Sequence, residues 1–338
     1  MNKKDMIVYE EFNHGVKRIS SWYKKKLKSL SIVTIPFNSS LIFVDIILEV
    51  IKDEGKILYI WGKDGEVKEL IGKLKSFKIN VTYGYTEDGS GDSDILFLNY
   101  KNISKVKRKF KLAIFDDITS YSYLSKFNLK GAYENTLEIS ERSILYTVEL
   151  VIKIGERFEL ASVCKEMLIV EPRMITTRID LNKDIPYILY DYLKWFRDEK
   201  KRVVIFVPDK EKLEAVYDYY IDKLKLDGAK IIKFSKDDRK KYINSSLKIK
   251  DKAIFIITDY MEVSLEDSRF EAAIVLFADN NRYNYKNLIY LCGSISKIND
   301  VVPEMLFVSK DVSEDMDKAK DMARDFNKMI WKRNSMVF

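Results

Sequence analysis

The stretch Ser31-Ile32-Val33-Thr34-Ile35-Pro36-Phe37-Asn38-Ser39-Ser40-Leu41-Ile42 decides how the chain is read. An apolar run, Ser31 to Ile35, stops at a proline; after a short polar turn, an apolar helical pattern runs from Leu41 to Ile51. Strand, turn and helix in this order frame a phosphate-binding loop. Such a loop needs glycines, so that backbone N–H groups can close on the phosphates, followed by a Lys and a Ser or Thr. Here Asn38 and Ser40 take the glycine positions, Leu41 the lysine position and Ile42 the hydroxyl position, with Pro36 and Ser39 completing the turn. The frame is kept and its phosphate chemistry is replaced.

Strands alternate with helices on both sides of this stretch, which predicts parallel sheets of the α/β class. In the first half, apolar runs recur at 32–35, 56–60, 95–98, 112–115 and 143–147, with amphipathic stretches at 41–52, 66–76 and 132–138 between them. The segment Thr86-Glu87-Asp88-Gly89-Ser90-Gly91-Asp92 is polar and reads as an exposed loop. The second half repeats the theme, with strands expected at 203–207, 230–234, 253–258, 272–277 and 305–308, and helices at 185–198 and 210–224. A polar, proline-bracketed segment from Glu171 to Pro186 separates the halves. The expected division is 1–170, a linker at 171–184, and 185–338. A charged amphipathic helix over 314–332, carrying Met316, Met322 and Met329, is expected to pack on the second domain.

At 338 residues the chain is long enough for two cores, and 46% hydrophobic with 33% charged residues is ordinary for a globular protein. No run approaches about 18 apolar residues, so no membrane span is expected. The start leads into no signal core, which gives a cytoplasmic expectation. Two distant cysteines, Cys164 and Cys292, exclude a four-cysteine zinc site, and a single histidine, His14, leaves out His-based triads unless it serves alone. The net charge of +7 suits a polyanionic partner. Two local clusters are more specific: Lys17, Arg18, Lys24, Lys25, Lys26 and Lys28, and then Lys101, Lys105, Lys107, Arg108, Lys109 and Lys111.

Two successive domains in this order resemble the paired RecA-like, P-loop NTPase type domains of superfamily 2 (DEAD/DEAH-like) helicases. More narrowly, the chain resembles the ComFA family of late-competence DNA translocases, mostly through Arg173-Met174-Ile175-Thr176-Thr177-Arg178-Ile179-Asp180 and Arg202 to Asp209. The likeness runs weakly from about residue 15 to about residue 330 and omits that family's four-cysteine zinc module. It implies two parallel-sheet lobes with an interdomain cleft, and strands ending in Ile35 and Phe115 that lie beside each other there. Lys56 to Lys63 is similar to the strand and Pro-Arg loop that touch the nucleic-acid backbone, with Gly62 for the Pro and Lys63 for the Arg. Leu112-Ala113-Ile114-Phe115-Asp116-Asp117-Ile118-Thr119 is similar to the Walker B strand and its Asp-Glu-x-Asp box. Asp116 would hold Mg²⁺ if any metal binds, and Asp117 stands for the water-activating Glu with one methylene less reach. Tyr146-Thr147-Val148-Glu149 takes the place of a coupling motif. Thr258-Asp259-Tyr260-Met261-Glu262-Val263-Ser264 follows a strand as the family's domain-2 motif does, but Val263 and Ser264 replace an Arg-Gly pair. The last motif keeps Gly293, while its two arginines have become Ser294 and Lys297. The resemblance implies nucleic-acid contacts at Lys63, Thr258 and Lys297, and the second charge cluster adds Lys107, Arg108 and Lys109.

In a chain with 59 Lys and Arg residues, the absence of Lys at 41 does not follow from composition. The Lys charge, the loop glycines, the Mg²⁺-holding hydroxyl and the arginine clamp all stabilise one transition state, and losing them together leaves little rate. The expectation is therefore a pseudoenzyme without cofactor that binds single- or double-stranded DNA, or scaffolds competence or recombination proteins. Two alternatives stay open: an ATPase using Mg²⁺ and ATP through an atypical site, and a protein–protein adaptor that binds no nucleic acid.

Overall fold

A computed structural model describes residues 3–77, 80–163, 168–236, 238, 245–249, 251–262, 270–295 and 303–335. It divides into two compact units, Met1–Met167 with Phe326–Phe338, and Leu168–Asp325.

The first unit opens with helix α1 (Lys3–Lys24), which buries Ile7, Ile19, Trp22 and Tyr23 and anchors Trp22 Nε1 on the Ser29 carbonyl at 3.1 Å. Strand β1 (Ser29–Thr34) follows, then a 3-10 turn (Ser40–Phe43) running into α2 (Val44–Lys52). Next come β2 (Ile57–Trp61), α3 (Lys68–Lys75), β3 (Tyr83–Thr86), β4 (Ile95–Asn99) and β5 (Phe110–Asp116). After α4 (Lys126–Glu138), strands β6 (Ser140–Thr147) and β7 (Glu156–Leu160) complete a seven-stranded sheet in the order β3-β4-β2-β5-β6-β1-β7. Every pairing in it is parallel. Parallel strands covered on both faces carry side chains that are buried throughout, as β2 and β4 do along their whole lengths.

The second unit carries β8 (Arg173–Thr176), α5 (Tyr187–Asp198), β9 (Arg202–Phe206), α6 (Lys210–Tyr219), β10 (Ala229–Phe234), β11 (Ala253–Thr258), β12 (Ala272–Leu276), α7 (Tyr285–Ile295) and β13 (Glu304–Ser309). Its sheet runs β10-β11-β9-β12-β13-β8, again parallel at every pairing. The last helix, α8 (Glu314–Ser335), begins in this unit, and its residues from Phe326 onward group with the first. No helix among the described residues is long and apolar enough to cross a membrane.

The α/β class and the parallel sheets are as expected, and three details differ. The segment 171–184 is not only a connection: Arg173–Thr176 is the edge strand of the second sheet, paired with β13 from Arg173 opposite Leu306 to Thr176 opposite Ser309. The ends of β1 and β5 are not adjacent, because β6 pairs with both and stands between them. Along the last helix Met316 is fully buried and Met322 and Met329 are partly so, yet the stretch from Phe326 packs within the first unit rather than the second.

Candidate functional site

In a parallel sheet, all strands deliver their C-terminal ends to one edge, and ligands bind there where the strand order reverses. In the first unit that edge collects the turn after β1, the loop after β5, the end of β6 and the segment after β7. The register sets Val33 opposite Thr147 and Asp116 opposite Tyr146. Pro36 to Leu41 and Asp116-Asp117 are thus brought to one edge, and the Phe37 N–H donates to the Ile118 carbonyl at 3.1 Å, joining the two loops directly. Phe37 adopts φ +60°, a left-handed conformation that costs a non-glycine residue roughly 1–3 kcal/mol and holds only where its surroundings enforce it.

Asn38 ties the turn after β1 to the segment after the edge strand β7. Its amide nitrogen donates to Thr34 Oγ1 at 2.8 Å and to the Ala161 carbonyl at 2.9 Å. Its oxygen accepts from the Ser39 N–H at 3.0 Å and the Val163 N–H at 2.9 Å. All four hydrogen-bonding positions of the amide are used, and the side chain is 2% exposed. Ser39 caps the 3-10 turn: its hydroxyl accepts from the Leu41 N–H at 3.1 Å and donates to Glu69 at 3.0 Å. Tyr146 Oη donates to the Ser39 carbonyl at 3.2 Å. Two amides that an anion would need, those of Ser39 and Leu41, are therefore taken by side-chain oxygens of the loop itself. Ser40 is fully buried and Leu41 half-buried. Ile42 lies under α1, so close that a Cβ at Gly15 would meet its Cδ1 at 2.6 Å.

The two carboxylates are equally committed. Asp116 is fully buried and accepts four hydrogen bonds: Tyr59 Oη and Thr119 Oγ1 at 2.5 Å each on Oδ2, and the Ile118 and Thr119 N–H groups at 2.9 and 3.0 Å on Oδ1. Burial pushes its carboxyl above the usual carboxylate range, and these donors pull the other way. Burial, then the neighbouring Asp116 charge, holds the Tyr59 phenol well above its ordinary value, so Tyr59 stays the donor. Asp117 accepts from Ser122 at 2.5 Å and from Thr147 at 3.5 Å, and its N–H donates to the Tyr146 carbonyl at 2.9 Å. Among the described residues no cluster of His, Cys, Asp and Glu is placed to hold a metal ion.

Lys63 is exposed on the loop after β2, at the same edge. That loop is braced by Trp61 Nε1 on the Gly65 carbonyl at 3.0 Å and by Tyr85 and Asn99 on Asp64 at 2.9 and 3.0 Å. Gly62 fits where a Cβ would come within 2.5 Å of Ser120 Oγ, so the loop after β5 lies directly against it. Lys107, Arg108 and Lys109 precede β5 and lie at the opposite edge of the sheet. Lys107 and Lys109 are exposed, whereas Arg108 donates to the Gly91 carbonyl at 2.7 Å and stacks 4.6 Å from the Phe110 ring centroid. In the second unit Thr258 is fully buried at the end of β11, its hydroxyl accepting from the Tyr260 N–H at 3.0 Å. Ser294 is buried in α7 and bonds back to the Leu291 carbonyl at 2.8 Å. Lys297, Val263 and Ser264 lie outside the described residues. The sequence did not reveal as partners Thr34, Tyr59, Thr119, Ser122 and the 160–163 segment, which hold the site residues in place. Thr34 and Tyr59 stood in recognised strands and Thr119 in the Walker B-like stretch, yet no local pattern marked them as hydrogen-bonding partners.

No family model and no curated protein matches the chain. Solved structures do. It is similar to the helicase Lhr of Mycobacterium smegmatis bound to single-stranded DNA and AMP-PNP, at 8% identity over 97% of this chain with a TM-score of 0.51. It is similar to the DUF1998 helicase MrfA bound to DNA, at 11% identity over 97% with a TM-score of 0.52. It is also similar to RecG bound to a three-way DNA junction, at 12% over 98% with a TM-score of 0.53. The fold is that of the paired RecA-like helicase domains. This chain spans about half the length of those proteins, covering 50%, 51% and 49% of them.

Proposed function

We propose that this chain is a helicase-type protein that binds DNA without hydrolysing ATP, and that it is of the ComFA type, acting in the cytoplasm in competence DNA uptake beside competence or recombination proteins. The observation that carries the reading is Asn38, whose four hydrogen bonds occupy the turn where a nucleotide's phosphates would have to lie. The residues present do not fit a triphosphate with its Mg²⁺. The Ser39 and Leu41 amides are engaged, Leu41 offers no charge, and Asp116 would have to give up four donors to ligate a cation. Breaking a buried, fully paired network of this kind costs several kcal/mol, roughly 1–3 for each group left without a partner.

DNA is the favoured partner for two reasons. The helicases with this fold were solved on DNA, and the chain carries a net charge of +7 with exposed lysines on its strand-end loops. Affinity of this kind comes from phosphate contacts and is largely independent of sequence. The test is phosphate release by the purified chain with ATP, Mg²⁺ and saturating single-stranded DNA. The expected result is no DNA-stimulated release. Release that disappears in Asp116→Ala would make the chain an ATPase with an atypical site.

A further inference from the structure

Parts of the two lysine clusters, Lys24 to Lys28 and Lys107 to Lys109, come together at the N-terminal edge of the first sheet, opposite the edge that carries Asn38 and Asp116. Lys28 immediately precedes β1 and Lys109 immediately precedes β5, and β6 lies between those strands. The Lys28 ammonium donates to the Ser140 carbonyl at the start of β6, and Ser140 is the register partner of Phe110, the residue after Lys109. Two strand spacings, about 9.5 Å, separate β1 from β5. Trp22, bonded to the Ser29 carbonyl, brings the end of α1 with Lys24 and Lys26 to the same place. Arg142, two residues into β6, stands over the Tyr23 ring, its Cζ 4.2 Å from the centroid. Of the carboxylates nearby, Glu141 pairs with Lys111 at 2.8 Å and acts at longer range on Lys28 and Arg142, Glu156 pairs with Arg18 and Lys25 at 3.4 Å each, and Glu49 and Asp53 act on Tyr23. Among the described residues Lys24, Lys26, Lys28, Lys109 and Arg142 have no ion-pair partner.

We propose that this N-terminal edge is a second nucleic-acid surface, where Lys24, Lys26, Lys28, Lys109 and Arg142 track the phosphates of a DNA strand. The proposal rests on the DNA-binding reading and adds a path that the strand-end loops do not provide. Cations held side by side repel one another, and a bound chain of phosphates removes that cost. Partial burial and then the charge of Lys109 lower the Lys28 ammonium from its ordinary value, and Glu141 offsets this only in part. The cations are spread along the sheet edge from β1 across β6 to β5, which suits a polyanion rather than one phosphate group. Leu27 is the exposed apolar side chain within the Lys24–Lys28 run, and a membrane surface would call for a wider apolar face to insert. The Arg142 guanidinium, fixed by its ring, offers a planar fork that suits phosphate oxygens.

The experiment measures anisotropy of a labelled oligothymidylate of about 30 nucleotides with the full chain, over roughly 50 to 200 mM salt. Lys28→Glu/Lys109→Glu is compared with Lys183→Glu/Lys223→Glu, an equal charge change on exposed lysines of the second unit. Lys26→Glu/Lys109→Glu repeats the test with the Lys28–Ser140 bond intact, and circular dichroism checks folding. The expected result is an affinity loss of about tenfold or more for both edge variants, and a salt slope shallower by about 1.4, or 0.7 for each lost phosphate contact. The control double variant should stay within about twofold. Equal losses in the control, or native affinity in both edge variants with loss in Lys63→Ala, would overturn this surface and leave the DNA-binding reading standing. Failure of the native chain to bind single- or double-stranded DNA, with or without capture by phosphatidylserine vesicles, would overturn both.

Discussion

Replacing Asn38 tests the filled turn as a physical object. The four bonds of its amide, at 2.8, 2.9, 3.0 and 2.9 Å, join the turn after β1 to residues 161 and 163. In Asn38→Ala the Thr34 hydroxyl keeps the Leu160 carbonyl as its acceptor, at 2.6 Å, so it loses little. The Ala161 carbonyl and the Ser39 and Val163 N–H groups lose their partner. At about 1 kcal/mol each, the variant should be less stable by about 3 kcal/mol. Asn38→Gly should cost up to about 1 kcal/mol more, because glycine also frees the unfolded chain. The sharper variant is Asn38→Asp. It keeps the size and the accepting oxygen but aims a second carboxylate oxygen at the Ala161 carbonyl, so a loss at least as large as that of Ala is expected. Urea unfolding followed by tryptophan fluorescence reads the effect, since Trp22 and Trp61 both lie in the first unit. A loss below about 0.5 kcal/mol for Ala, or native stability for Asp, would refute the idea that the network rather than bulk holds the turn shut.

Asp116→Ala should destabilise the first unit by about 3–5 kcal/mol in the same assay, because buried donors from Tyr59, Ile118 and Thr119 lose their acceptor. Asp116→Asn gives a pH test. Burial raises the folded carboxyl above its unfolded value, so its stabilising contribution is full below the unfolded value near 4 and is lost as pH rises through the folded one. Native protein should therefore gain on Asp116→Asn as pH falls from about 7 toward 4; a gain for the variant over that range would reverse the assignment. Leu41→Lys should stay within about 1 kcal/mol of native stability, since Leu41 is only half-buried, and should acquire no ATP hydrolysis. Hydrolysis restored by that one change would show a site missing only its charge.

The central strands were legible because residues buried on both faces of a parallel sheet form uninterrupted apolar runs, as in Ile57–Trp61 and Ala253–Thr258. Three of the four edge strands, Tyr83–Thr86, Glu156–Leu160 and Arg173–Thr176, were not, whereas the fourth, Ala229–Phe234, was expected at 230–234. Glu156–Leu160 and Arg173–Thr176 alternate with exposed charged residues, and Arg173–Thr176 sits in a segment that reads as a linker. Helix α1 was hidden by its lysines, which read as a charge cluster, although Ile19, Trp22 and Tyr23 form its buried stripe. At the site, the identities at 38, 40, 41 and 116 were legible as departures from a phosphate loop. Their partners were not, because Ala161 and Val163 lie more than 120 residues from Asn38, and no local pattern announces a contact of that range. The same holds for Lys28 and Lys109, which meet only because β6 inserts between β1 and β5.

The filled turn is tested most directly by titrating ATP, and separately AMP-PNP, with Mg²⁺ into the full chain by calorimetry, with and without single-stranded DNA. The Asn38 network predicts no saturable heat up to millimolar nucleotide in either case. Saturable binding that is lost in Asp116→Ala, with that variant shown to be folded, would contradict it.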